Sequence, residues 1–108
     1  MTLYFYELDK TYAFLNGTGI KIQKCEAKER PKTYAPLNEK FFPNYAYSVR
    51  KEEIGQILNG STVVLEKPDF ELAKTIFMER LEFEICNKKK ELERLEKICK
   101  AVLESEEN

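Results

Sequence analysis

The stretch "DKTYAFLNGTGIKIQKC", residues 9–25, decides the fold. It follows an aromatic run, "LYFYEL" (3–8), whose composition suits a strand. Ile20 and Ile22 alternate with Lys21 and Gln23, which predicts a strand over 20–25. Asn16-Gly17 tolerates the positive φ that tight hairpins need. On that reading Tyr12–Leu15 is a strand, 16–19 a turn, and Asp9-Lys10 a further turn that completes a three-stranded meander. A competing reading makes "KTYAFLN" a short helix stopped by Gly17.

Toward the C-terminus, Pro31, Pro36 and Pro43 break any long element between Arg30 and Tyr47. "SVRKEEIGQILNG" (48–60) then predicts a short helix over Lys51–Leu58, with Ile54, Ile57 and Leu58 on one face and Asn59-Gly60 as its cap. "TVVL" (62–65) is β-branched and suits a strand. Pro68-Asp69 opens the last element, a helix over about 69–105, with Asp69 as N-cap and Glu71 in the first turn.

That helix changes character along its length. In its first half Phe70, Ala73, Phe77, Leu81 and Ile85 form one stripe, and Leu72, Ile76 and Phe83 a second, wide enough to cover a sheet. In its second half Leu81, Ile85, Lys88, Leu92, Leu95, Cys99 and Val102 alternate steps of four and three, the spacing of a heptad seam. A helix of this extent measures about 55 Å, whereas a compact domain of this size is about 34 Å across. The seam therefore calls for cover: a second copy, a fold-back near Asn87–Lys90, or a foreign partner. Self-association is the leading expectation. Lys88-Lys89-Lys90 lie on different faces among Glu84, Glu91, Glu93 and Glu96, so they read as a solvated stretch beside the seam rather than a phosphate patch.

The expected fold class is α+β: a small antiparallel sheet of three to five strands, a short helix and a long C-terminal helix ending in a coiled-coil-like seam. Residues 1–86 form the domain in this reading, and 87–108 its helical extension. Composition supports a globular chain, with 43% apolar and 34% charged residues. The net charge of −1 divides into +2 over residues 1–68 and −3 over 69–108, without the basic excess of a dedicated nucleic-acid binder.

Histidine is absent, which removes Ser-His and Cys-His nucleophile pairs, the histidine general base and the histidine metal ligand. Cys25, Cys86 and Cys99 have no CxxC spacing, so no metal site, cofactor site or catalytic set is assigned and no enzyme is expected. The first ten residues lack a signal-peptide pattern and no apolar run could span a membrane, so the expected setting is the cytoplasm of a bacterial host cell with reduced thiols.

Two surfaces stand out. The aromatics Tyr34, Phe41, Phe42, Tyr45 and Tyr47 either pin down an irregular loop or anchor a partner. Residues 20–32 carry Lys21, Lys24, Lys28, Arg30 and Lys32 against two acids, next to Tyr34. Such a segment can follow a nucleic-acid backbone, although lysines on an edge strand also serve to prevent sheet-to-sheet pairing.

The order "RPKTY", "SVRKEEIG" and "VVLEKPDFELAKTIF", followed by a charged tail, resembles small accessory proteins of phages and mobile elements of low-GC Gram-positive bacteria, over about residues 30–108. The resemblance implies interference with a host system and carries over no site residue. The leading expectation is thus a non-catalytic interaction protein that binds a host protein, for example as an inhibitor of a defence system such as a CRISPR nuclease. One alternative is an oligomer that sequesters a small nucleotide-like signal. Another is a weak nucleic-acid binder working through residues 20–34.

Overall fold

The structure is a computed structural model that describes residues 1–17, 19–43 and 46–107. Its elements are β1 (Thr2–Leu8), α1 (Lys10–Asn16), β2 (Ile20–Glu29), β3 (Thr33–Pro36), β4 (Val49–Arg50), β5 (Ile57–Leu58), β6 (Thr62–Leu65) and α2 (Phe70–Leu103). The six strands form one antiparallel sheet in the order β4-β3-β2-β1-β6-β5. The class is α+β, with more strands than the three to five expected. Three of the strands, β3 to β5, are short pieces whose pairing no local pattern announces.

The two Asn-Gly pairs exchange their expected roles. β1 pairs directly with β2, from Thr2↔Glu26 to Leu8↔Ile20, so the segment between them is a connection and not a third strand. That connection is α1, the competing helical reading. The Asp9 carboxylate accepts from the Tyr12 N–H at 2.9 Å, and Gly17 closes the helix at φ 77 with its N–H donating to the Ala13 carbonyl at 2.9 Å. Asn59-Gly60, in turn, makes the β5–β6 hairpin turn. Both residues have positive φ, 52 and 74, and the Ser61 N–H donates to the Leu58 carbonyl at 3.2 Å.

The helix expected over 51–58 is also replaced. Only Lys51–Glu53 winds, as a single 3-10 turn, and Gly55 at φ 80 redirects the chain so that Ile57 and Leu58 pair with Val63 and Thr62. The apolar spacing of Ile54, Ile57 and Leu58 reports burial against a sheet rather than one helical face.

Alternation along the central strands builds a core on each face of the sheet. Leu3, Phe5 and Val64 meet Ala27, Tyr34, Phe42 and Val49 on one side. Tyr6, Val63 and Leu65 meet Ala73 and Phe77 of α2 on the other. The start of α2 is fixed from the sheet, because the Asp69 N–H donates to the Tyr6 hydroxyl at 2.9 Å. Asp69 is the expected N-cap and accepts from the Leu72 N–H at 3.0 Å.

Met1–Phe77 is one compact unit, and the chain from Met78 onward a second. The helix runs without interruption through Asn87, so no fold-back occurs at Asn87–Lys90. At 34 residues it is about 51 Å long. Among the described residues no helix is long and apolar enough to cross a membrane.

Candidate interaction surfaces

α1 is the least expected surface. A seven-residue helix is too short to hold itself together by propensity, and none of its residues is buried. It is held instead by its two caps and by the Asp9 N–H donating to the Gly19 carbonyl at 2.9 Å. So fixed, it leaves Phe14 89% and Leu15 71% exposed, with Tyr12 exposed beside them. Covering one such side chain is worth about 1.5–3 kcal/mol, which this fold leaves unrealised. The hairpin reading placed these residues in a strand and so missed them. The available signal was Asp9 followed by a helix-compatible run and Gly17.

The second surface is the seam on α2, within the unit from Met78 onward. Leu81 is half-buried, while Ile85, Lys88, Leu92, Leu95, Cys99 and Val102 are all exposed, with Leu92 at 56% and Leu95 at 49%. Leu81, Glu84, Ile85, Lys88, Lys89 and Leu92 line a groove of about 380 Å³ along this helix. Lys88 makes an ion pair with Glu91 at 3.7 Å, in keeping with a solvated side chain. Met78 and Ile98, not assigned to the seam from the sequence, are exposed as well. Met78 precedes Ile85 by one heptad, and Ile98 flanks the seam beside Cys99.

The five loop aromatics separate. Tyr34, 1% exposed, and Phe42 belong to the core, where Phe42 lies 5.0 Å from the Phe5 ring, so neither is available to a partner. Their aromatic character reports packing, the first of the two readings given for them. Tyr34 also donates from its hydroxyl to the Glu66 carboxylate, and the hydrogen bond, burial and the negative charge together push its pKa up to about 12. Phe41 and Tyr47 form an edge-on pair with centroids 4.9 Å apart, Tyr47 being 71% exposed. Tyr45 lies outside the described residues.

The basic residues do not form one patch. Lys21 pairs with Glu7 on the Phe5 face of the sheet, whereas Lys24 pairs with Tyr4 on the opposite face and stands 6.0 Å from its ring. Lys28, four residues on, shares the face of Lys24, while Arg30 and Lys32 lie at the turn closed by the Arg30 N–H to the Thr33 carbonyl at 2.8 Å. In strand order β2 is internal, which corrects the edge-strand reading for its second half. β3 covers only Ala27–Glu29, and among the described residues no strand lies along the outer side of Ile20–Cys25. There Lys21 and Lys24 can serve the protective role.

The remaining chemistry is sparse. A cleft of about 570 Å³ is lined by Ser48, Arg50, Glu52, Glu53, Gln56 and Asn59 among others. Its arginine is engaged by Glu52 at 3.2 Å and Glu53 at 3.3 Å. All three cysteines are free thiols, and burial, aided by Glu39, pushes the Cys25 thiol up rather than activating it. Among the described residues no three His, Cys, Asp or Glu side chains are grouped to hold a metal ion.

Compared with protein-family models, curated proteins and solved structures, the chain matches none.

Proposed function

We propose that this chain is a non-catalytic interaction protein that assembles through the seam of α2 and offers α1 to a further protein. One observation carries the reading: large apolar side chains stand exposed in ordered rows on regular, continuous or capped helices. Scattered surface leucines need no explanation, but a run of seam residues at heptad spacing does. The resemblance described above supplies the setting proposed for it, a phage or mobile-element factor whose further partner is a host protein of a defence system.

The test is capture from a lysate of a low-GC Gram-positive bacterium by the wild-type chain and by a Phe14→Ser/Leu15→Ser variant. The reading expects a defined protein retained by the first and lost by the second, with the same circular dichroism for both. Retention that survives the double substitution would remove α1 from the account. Retention of nucleic acid that falls steeply with salt would favour the basic segment instead.

A further inference from the structure

The flanks of the seam specify how a second copy pairs with it. In heptad terms Ile85, Leu92 and Cys99 occupy a, and Leu81, Lys88, Leu95 and Val102 occupy d. One flank, the e positions, carries Glu82, Lys89 and Glu96, and the other, the g positions, carries Glu84, Glu91 and Ile98. A parallel pair sets each g residue against the e residue five positions on in its partner. That gives Glu84 with Lys89, which attracts, but also Glu91 with Glu96, which repels. It also stacks Lys88 on Lys88 in a central layer and Cys99 on Cys99 in another. Ile98 against Leu103 is the one apolar gain.

An antiparallel pair sets e against e and g against g. With Leu92 opposite the partner's Leu95, Ile85 meets Val102 and Lys88 meets Cys99, so the two lysines fall in different layers. Lys89 then faces Glu96 on both sides of the axis, and Glu91 faces Ile98. Sliding the pair by one heptad either way brings Lys89 onto Lys89 or Glu96 onto Glu96. Of these arrangements, one alone makes every flanking charge contact attractive or neutral. We propose that the occupant of the α2 face is a second copy of this chain, running antiparallel, centred on Leu92 and Leu95. The inference rests on the self-association reading above and adds direction and register to it.

A lysine opposite a cysteine is tolerable where a lysine opposite a second lysine would not be. The long aliphatic stem can cross the small thiol and return its charge to water at the rim. Charge placement sets pairing direction and excludes the alternatives in such helices, even where each exposed pair contributes little.

Cysteine chemistry reads the direction out. In a Cys25→Ser/Cys86→Ser background the native Cys99 is the remaining thiol. The antiparallel register separates Cys99 from its copy by about 16 Å along the axis, eleven residues at 1.5 Å each, beyond the reach of a disulfide. Mild oxidation is therefore expected to leave this protein uncross-linked while sedimentation shows a dimer. Adding Lys88→Cys is expected to make the disulfide-linked dimer the main product, with peptide mapping joining position 88 to Cys99. Lys89→Glu is expected to weaken the dimer roughly tenfold, as two attractive contacts turn repulsive, and Glu96→Lys on top of it to restore it. A dimer in which Cys99 alone cross-links would be parallel and would overturn the inference while leaving self-association standing. A monomer at tens of micromolar would overturn both.

Discussion

Gly19 lies directly beneath Ala13: a Cβ on the glycine would stand 2.6 Å from the alanine Cβ and 2.8 Å from the Asp9 carbonyl oxygen. The close approach lets α1 sit on the start of β2 and keeps the Asp9 N–H in reach of the Gly19 carbonyl. Gly19→Ala is expected to push α1 off this seat and to lower stability by about 1–3 kcal/mol, the usual cost of overpacking. Urea denaturation measures it. An unchanged midpoint would mean that α1 is not held there.

Phe14 and Leu15 should behave in the opposite way. Because neither contributes to a core, Phe14→Ser/Leu15→Ser is expected to change unfolding free energy by no more than about 0.5 kcal/mol per site. A loss of several kcal/mol in the same urea measurement would show that both side chains are buried in solution.

Tyr34 gives a pH signature. Its pKa rises from the ordinary 10.0 to about 12 because Glu66 accepts from the protonated hydroxyl and burial opposes the charged form. The folded state thus holds its proton more tightly than the unfolded chain. The stabilisation is complete below pH 10, declines between pH 10 and 12, and is gone above the folded value. Tyr34→Phe is expected to lower stability at neutral pH by roughly 1.5–3 kcal/mol, as for a hydrogen bond to a charged group. It should also flatten stability against pH over that alkaline window. Equal slopes for both proteins would refute the assignment.

Lys88 occupies a seam position at which leucine would pack better. Lys88→Leu is expected to raise the melting temperature of the helix pair at fixed protein concentration and to loosen its choice of register. A lower or unchanged melting temperature would count against the seam.

The sequence disclosed those elements whose signals are local and redundant. β1, the first half of β2, β6 and α2 with its Asp69 cap all follow from composition, alternation and a capping residue. It misled where one local signal serves two purposes. Asn16-Gly17 and Asn59-Gly60 both supply positive φ, which suits a helix end or a hairpin turn, and only the β1–β2 and β5–β6 pairings decide between them. Ile54, Ile57 and Leu58 likewise look helical until β6 is beside them.

The candidate surfaces were legible to differing degrees. The α2 seam is a periodic property of a single helix and needs no tertiary knowledge. The loop aromatics are ambiguous, because an aromatic side chain anchors a core and an interface by the same physics, and Tyr34 and Phe42 went to the core. Exposure of Phe14 and Leu15 could not be read at all, since it depends on α1 being a connection that, among the described residues of Met1–Phe77, no other element covers.

Sedimentation equilibrium of the full chain, beside a Leu92→Glu/Leu95→Glu variant, tests the central claim most directly. Assembly through α2 predicts a dimer for the wild type and a monomer for the variant across the same micromolar range. A wild-type chain that stays monomeric, or a variant that still dimerises, would contradict it.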